Sequence, residues 1–360
     1  MRWPALGLLA CLVVACRRAP SKEQPPPPPA QSAEPSAPAA AAINSVLSGV
    51  HARLSLAAPA WQLQPLAFGQ HLLGVLGTDR VHVYSLPDAA LLVDEPLGAP
   101  RAVVAIAGGS LVASGRQGAL RFDPGAKKAV RLPPIPSLPS TLLLPERRDS
   151  SFVWALDTRG GVLLRQRLVL DPTRSFDQNV TLEGYDGGAL AVMRDGAMLY
   201  RAPGGVRRAL PENRSRLFAT RFDAWRLLPG RRVDQVWAIA PDGSVELWFV
   251  GDRLVVQKRF VAGAPPYDAA ASSDYLALVV LDEPGNAPRR FRLLVFTNDG
   301  ERVLERELEP GGPEVGEDWA VRAGENRHVA LSEDEPLLAV GGPGSLAVFR
   351  LPSGELVPFR

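Results

Sequence analysis

The chain has 360 residues, and its hydrophobic fraction of 46% is large enough for an extensive core, which excludes a predominantly disordered protein. The formal net charge of +2 argues against a nucleic-acid-binding protein, because such a protein needs a basic face. Both cysteines, Cys11 and Cys16, lie near the N-terminus, so the rest of the chain has no disulfide and no thiolate site. Arginine greatly outnumbers lysine, which we attribute to overall composition and not to an arginine-based site.

The N-terminus has the pattern of an export signal. Arg2 precedes an unbroken apolar run at residues 5–15 (ALGLLACLVVA). This run is too short to span a hydrocarbon core of ~30 Å, which needs ~20 helical residues, but it has the length of the apolar region of a signal peptide. The run ends in the sequence VVAC at residues 13–16. This motif resembles the lipobox of bacterial lipoproteins, in which small residues precede a cysteine at the cleavage site.

The resemblance implies that the Cys16 thiol receives lipid and that signal peptidase II cuts between Ala15 and Cys16. At ~0.8 kcal/mol per buried CH₂, two acyl chains of roughly fifteen carbons would contribute up to about 20 kcal/mol, which is enough for stable attachment to a membrane. Arg17 stands where an Asp marks inner-membrane retention in enterobacterial lipoproteins, so we expect the outer membrane. The alternative is an ordinary secretory signal in which Cys16 is incidental.

The composition changes abruptly after Cys16. A proline run at residues 25–29 is followed by the sequence QSAEPSAPAAAA. Such a segment cannot bury apolar area, so it is predicted to be a disordered tether, with a reach of up to ~80 Å if fully extended. We therefore expect a cleaved signal peptide at residues 1–15, the lipidated cysteine and a Pro/Ala-rich tether at 16–44, and a folded domain at 45–360.

The folded part contains a repeat. From residue 61 onward, short stretches of alternating apolar and polar residues are interrupted by Gly, Asp, Asn and Pro, which predicts β-strands joined by turns. Seven segments share a strand that ends near an aromatic residue, a turn and a second strand. The aromatic recurs about every 44 residues, close to the ~40–45-residue period of a four-stranded propeller blade. The seven aromatic residues are Tyr84, Phe122, Trp154, Tyr200, Trp248, Phe296 and Phe349.

Further hairpins precede these segments, and their turns carry residues that favour tight turns. The four predicted turns are Thr78-Asp79, Asp195-Gly196, Asp242-Gly243 and Pro343-Gly344. The last unit, VALSEDEPLLAVGGPGSLAVFRLPSGELV, resembles a WD-repeat blade, although Phe349-Arg350 replaces the Trp-Asp pair. The segment FVWALDTRGGVLL resembles a quinoprotein-type repeat.

These resemblances imply an all-β fold, a seven-bladed β-propeller of four-stranded blades. The repeated aromatic residues are expected to fill the space between neighbouring blades and not to contact a ligand. The last blade has its own fourth strand, so residues 51–57 either pack on an edge or form no strand. The alternative architecture is two β-sandwich domains that divide near residue 183.

Few residues indicate a catalytic, cofactor-binding or metal-binding site. No two histidines have a metal-ligand spacing, so we interpret them as surface or strand residues; they are His51, His71, His82 and His328. Four aspartates could form a ring of carboxylates, but each lies in a predicted turn, where Asp is favoured by local backbone hydrogen bonds. They are Asp79, Asp195, Asp242 and Asp299. No nucleophile elbow, phosphate loop or metalloprotease motif is present, so no catalytic residue, cofactor or metal site is predicted.

Our leading hypothesis is therefore a non-catalytic lipoprotein of the bacterial envelope whose propeller binds another envelope protein or a polymer. Its partners are the membrane, reached through the lipid, and that protein or polymer, with no nucleic acid. One alternative is a propeller enzyme, lactonase-like or glycan-cleaving, which needs several His, Asp, Glu or Asn side chains on the central channel. A small-molecule or sugar-binding sensor is the other alternative.

Overall fold

The computed structural model describes residues 66–357, apart from residues 78, 87–89, 99–101, 116, 133–140, 147–150, 158–161, 168–175, 210–213, 283–289, 309–326 and 343–344. The predicted signal peptide, Cys16, the tether and His51 lie outside the described residues, as does the first part of the predicted folded domain. Within the described ranges, no helix is both long enough and apolar enough to cross a membrane.

The described residues form seven four-stranded antiparallel sheets, or blades, each built from four consecutive strands. Blade 1 contains β1 (Leu66–Gly69), β2 (Leu72–Leu76), β3 (Arg80–Ser85) and β4 (Leu91–Pro96). Blade 2 contains β5 (Ala102–Ala105), β6 (Leu111–Gly115), β7 (Gly118–Phe122) and β8 (Val130–Leu132). Blade 3 contains β9 (Thr141–Pro145), β10 (Phe152–Asp157), β11 (Val162–Arg167) and β12 (Phe176–Thr181).

The remaining four blades follow the same plan. Blade 4 contains β13 (Leu190–Val192), β14 (Met198–Ala202), β15 (Gly205–Ala209) and β16 (Ser215–Ala219). Blade 5 contains β17 (Arg226–Pro229), β18 (Gln235–Ile239), β19 (Ser244–Val250) and β20 (Leu254–Val261). Blade 6 contains β21 (Pro266–Ala271), β22 (Tyr275–Leu281), β23 (Phe291–Thr297) and β24 (Arg302–Leu308). Blade 7 contains β25 (His328–Leu331), β26 (Leu337–Gly342), β27 (Ser345–Arg350) and β28 (Glu355–Leu356).

The first strand of each blade lies beside the first strand of the next, and β25 lies beside β1. The sheets therefore form a closed ring, and the fold is the predicted seven-bladed β-propeller. Blade 7 has four strands of its own, so the ring closes by packing blade 1 on blade 7 and not by exchange of a strand. Phe68 and Leu73 of blade 1 share a buried cluster with Leu337 and Val348 of blade 7. The alternative of two sandwich domains is wrong.

Burial decreases from the inner strands of a blade to its outer strand. In blade 5, the second strand is almost entirely buried, whereas most side chains of the outer strand β20 are exposed. The inner strands are covered on both faces by neighbouring blades, which is why they read as nearly continuous apolar runs and not as alternating ones. The outer strand β24 of blade 6 likewise has only one buried side chain, Leu308.

The prediction that the repeated aromatic residues form core is confirmed. All seven are at most 6% exposed, and six of the buried clusters that contain them join two neighbouring blades. For example, Trp154 of blade 3 packs with Tyr200 of blade 4, and Phe349 of blade 7 packs with Phe291 of blade 6. One blade cannot cover both faces of its own sheet, so these side chains hold the ring together.

The predicted alignment of the repeats is wrong in two blades. The shared aromatic lies in the third strand of blades 1, 2, 5, 6 and 7, but Trp154 and Tyr200 lie in β10 and β14, the second strands of their blades. A second and a third strand are both buried and apolar, so a pattern of one strand, a turn and another strand fits either pair. This shift by one strand explains why the spacing of the aromatic residues is irregular around blades 3 and 4.

Candidate functional site

The central channel is lined by the first strands of the blades and encloses a cavity of about 190 Å³. Most of its lining is apolar, with Leu, Val and Ala side chains from every blade. Charged residues enter the lining at three positions, which are Arg226, Asp268 and Glu333. The contacts of these three residues determine whether their side chains are available to a ligand in the channel.

Arg226, Asp268 and His328, here called the Asp268 cluster, join blades 5, 6 and 7 near the starts of their first strands. Arg226 Nη1 lies 2.7 Å from one carboxylate oxygen of Asp268, and His328 Nδ1 lies 3.2 Å from the other. The backbone N–H groups of Ala269 and Val329 donate to the same carboxylate, at 2.8 and 3.0 Å. Asp268 and His328 are buried, so each partner of the carboxylate replaces water that the fold excludes.

Two opposing effects act on the pKa of Asp268. Burial by itself would raise this pKa, but the Arg226 charge and the hydrogen bond with His328 hold it below its ordinary value. A carboxylate with a depressed pKa in the folded state stabilises the fold above its unfolded pKa, and this contribution is lost as the pH falls through the folded pKa. The Asp268 carboxylate is therefore ionised under neutral conditions and links Arg226 to the neighbouring blades.

This link predicts a pH dependence of stability. Replacing Asp268 by Asn should lower the free energy of unfolding by a constant amount above about pH 5, and the deficit should shrink as the pH falls below about 4. Urea unfolding of both proteins at a series of pH values measures the difference. The turn carboxylate Asp299 serves as the control, since its side chain is 88% exposed and Asp299→Asn should change stability only slightly. If the stability difference between wild type and Asp268→Asn became larger at acidic pH, the ionised role of Asp268 would be contradicted.

A second network lies at the opposite end of the first strands, in the turns that lead to the second strands. Arg194 Nη2 is 2.9 Å from Glu333, and Arg194 Nε donates to the Gly230 carbonyl oxygen at 2.7 Å. Ser273 donates to Glu333 through both its backbone N–H, at 3.1 Å, and its hydroxyl, at 2.9 Å. These four residues, the Arg194 network, connect blades 4, 5, 6 and 7 across the mouth of the channel.

The described histidines each lie beside a carboxylate, which sequence spacing did not reveal. His71 Nδ1 is 2.6 Å from Glu335 and links blade 1 to blade 7. His82 is 3.4 Å from Asp94, and burial lowers the pKa of its imidazole. The partners of His71 and His328 are distant in sequence, by 264 and 60 residues, so only the closed ring brings these two pairs together.

The four turn aspartates do not form a ring of carboxylates. Asp79 and Asp242 lie between second and third strands, Asp195 lies between a first and a second strand, and Asp299 lies between a third and a fourth strand. The turn interpretation is confirmed for two of them, because Asp195 accepts from the Ala197 N–H at 2.9 Å and Asp242 from the Ser244 N–H at 2.8 Å.

The chemistry available in the channel is limited by these pairings. Its charged side chains bind one another across blades, and His328 Nε2 has no hydrogen-bond partner, so no nucleophile of the described residues meets it. Among those residues there is also no group of three or more His, Cys, Asp or Glu side chains that could hold a metal ion. The residues that the sequence analysis missed, such as Arg226, Asp268 and Arg194, carry no local motif.

Comparison with solved structures supports the fold. The β-propeller domain of Cps50 (Swd1) from Myceliophteria thermophila is 14% identical to this chain, with a TM-score of 0.56 over 85% of this chain and 98% of that chain. A chain of a mitotic checkpoint complex is 13% identical, with a TM-score of 0.57 over 81% of this chain and 90% of that one.

An enzyme is also among these structures. Virginiamycin B lyase from Staphylococcus aureus is 9% identical, with a TM-score of 0.53 over 80% of this chain and 94% of that chain. No protein-family model and no curated protein sequence matches the chain. At these identities the similarity shows the β-propeller fold, which hosts both assembly proteins and enzymes.

Proposed function

We propose that this protein is a lipoprotein of the bacterial envelope, attached to the outer membrane through lipid on Cys16, whose propeller binds another envelope protein. The observation that carries the binding role is the position of its exposed apolar side chains. Most of the large ones in the described residues lie on blades 4 and 5, and these are Leu217, Val233, Val255, Val256 and Val261. The concentration of exposed apolar side chains on two neighbouring blades favours these blades as a protein-binding surface.

The channel supports the same proposal by a different argument. Arg226, Asp268 and Glu333 are held in contacts between blades, where they stabilise the ring. Side chains that are used in this way are not presented to a substrate. The outer surfaces of the blades are then the part of the propeller that meets a partner.

Site-specific photo-crosslinking tests the binding role. A benzophenone amino acid at Leu217 or Val256, in the full chain in living cells, should give a discrete crosslinked species with another protein. Val130 on blade 2 provides the matched control, because its exposure of 38% is close to the 39% exposure of Val256. Crosslinks of equal yield at Val130, or none at Leu217 and Val256, would overturn the proposal.

The membrane attachment is tested separately. Cys16→Ser should abolish incorporation of labelled palmitate and leave an unprocessed precursor, because serine offers no thiol for lipid transfer. Cys11→Ser is the control, since it removes the other cysteine from the same apolar run and should leave labelling and processing unchanged. Labelling that persists in the Cys16→Ser protein would show that the N-terminus is not a lipoprotein signal.

The enzyme alternative depends on the Asp268 cluster. An Asp that orients a His with a free Nε2 is the arrangement of a general base, and Asp268 and His328 share it. Hydrolysis of a lactone or a glycan by the full chain, lost in His328→Gln but not in His82→Gln, would establish this alternative. We expect no such activity, because His328 is only 2% exposed.

A further inference from the structure

A groove lies between the outer parts of blades 4 and 5, on the side of the turns between third and fourth strands. It encloses about 620 Å³, a volume in the range of ligand sites. Nine residues line it and are here called the blade 4–5 groove. They are Arg208, Arg214, Ser215, Arg216, Phe218, Phe249, Gly251, Asp252 and Arg253.

The positive charge of this groove is not neutralised within it. Arg208 is the exception, because it pairs with Asp195 and donates to the Val250 carbonyl oxygen at 2.9 Å. Arg216 lies 3.6 Å from Asp252, but both side chains are exposed, so this ion pair contributes little. The exposed side chains of Arg214 and Arg253 have no carboxylate partner among the described residues.

Several arginines elsewhere in the described blades are bound more closely to acids. These pairs have N–O distances of 2.5–2.9 Å. Examples are Arg80 with Asp94, Arg121 with Asp123, Arg201 with Asp186 and Arg207 with Glu183. The blade 4–5 groove brings together three exposed guanidinium groups, those of Arg214, Arg216 and Arg253, and only Arg216 lies within ion-pair distance of a carboxylate of the described residues. These groups are therefore available to bind an external carboxylate. A guanidinium is suited to this role because its planar fork matches a carboxylate with two hydrogen bonds.

Aromatic rings form the floor of the groove. The Arg216 guanidinium lies 5.5 Å from the centre of the Phe218 ring, and Arg232 from the adjoining turn lies 5.9 Å from that of Phe249. A Cβ atom at Gly251 would lie only 2.8 Å from the Phe249 ring, so a glycine is needed for the ring to lie against this turn. Arginine and aromatic side chains together are the residues enriched at protein interfaces.

We propose that the blade 4–5 groove binds an acidic segment of the partner protein, with carboxylates on Arg214, Arg216 and Arg253 and an apolar side chain against Phe249. This inference rests on the proposed binding function and names the chemistry of its partner. A nucleic acid fits less well, because the groove also carries Asp252 and the net charge of the chain is only +2.

Fluorescence anisotropy with a defined probe tests the proposal. The probe is a fluorescein-labelled peptide of glutamates around a central pair of phenylalanines, titrated with the full chain. Arg214→Glu/Arg253→Glu should weaken binding at least about tenfold, because attraction becomes repulsion. Gly251→Val should also weaken binding, without any change of charge, by displacing the Phe249 ring. Binding should weaken as salt rises from about 0.1 M to about 1 M.

The controls separate this groove from the overall charge and from misfolding. Arg221→Glu/Arg350→Glu makes the same change of net charge at exposed positions outside the groove and should leave affinity within about twofold, because distant charges are screened. Urea unfolding midpoints confirm that each variant is folded. Equal binding by wild type and Arg214→Glu/Arg253→Glu would overturn the proposal, as would tighter binding of a single-stranded oligonucleotide of equal charge. If crosslinks at Val256 persist in that outcome, the binding function stands and only the groove assignment fails.

Discussion

Asp268→Ala should lower the free energy of unfolding by about 3–5 kcal/mol, the cost of leaving a buried charge without its partner. The Arg226 side chain is only 14% exposed, so its guanidinium cannot recover enough hydration when the carboxylate is removed. His328 and two backbone N–H groups lose their acceptor in the same substitution. Guanidinium chloride unfolding of wild type and variant provides the measurement.

Two further variants show whether the loss comes from the unpaired charge. Arg226→Met/Asp268→Leu removes both charges and should recover part of the stability, since apolar side chains of similar size often replace a buried ion pair without loss. Asp242→Ala, in an exposed turn, should cost about 1 kcal/mol or less. A loss below about 1 kcal/mol for Asp268→Ala would mean that the cluster contributes little to the ring.

Trp248→Ala should destabilise the protein by about 3–5 kcal/mol, as expected for removal of a large buried aromatic side chain. Trp248 is fully buried between blades 4 and 5, and its ring contacts Phe222 edge-to-face with centres 5.5 Å apart. Its indole N–H also donates to the buried Glu246 carboxylate at 2.6 Å, which would lose this donor. The unfolding midpoint in urea, measured by circular dichroism, gives the effect.

Trp248→Phe separates the two contributions. It keeps most of the ring volume but removes the N–H donor, so it should cost about 1–3 kcal/mol, less than the alanine variant. Val256→Ala, at a partly exposed position on β20, should change stability by less than about 0.5 kcal/mol. Equal losses for Trp248→Phe and Trp248→Ala would assign the effect to the Glu246 hydrogen bond and not to packing between blades.

The fold could be predicted from sequence because each repeat contains short local patterns, namely turn residues and buried aromatic residues. Turn residues such as Asp195 and Asp242 mark hairpins, and Gly196 and Gly243 adopt the positive φ values of 83° and 84° that these turns require. The aromatic residues marked the interior of every blade. The strand that carried the aromatic could not be identified in blades 3 and 4, because a buried second strand and a buried third strand have the same composition.

The candidate sites could not be predicted in the same way. Arg226, Asp268 and His328 are separated by 42 and 60 residues, and only the closed ring brings their side chains together. The blade 4–5 groove offered a weak local signal, Arg214-Ser215-Arg216, but its meaning depends on Arg253 from the next blade.

The way the ring closes has a consequence for how the protein folds and where it begins to aggregate. Blade 1 and blade 7 meet through the side chains of a shared apolar cluster and the His71–Glu335 pair, so this seam resembles the other contacts between blades. A ring of this kind behaves as a linear array bent until its ends meet, in which folding can start in any blade and spread to its neighbours. Weakening any one seam then turns the ring into an open arc, with the exposed edge at that seam as its first site of aggregation.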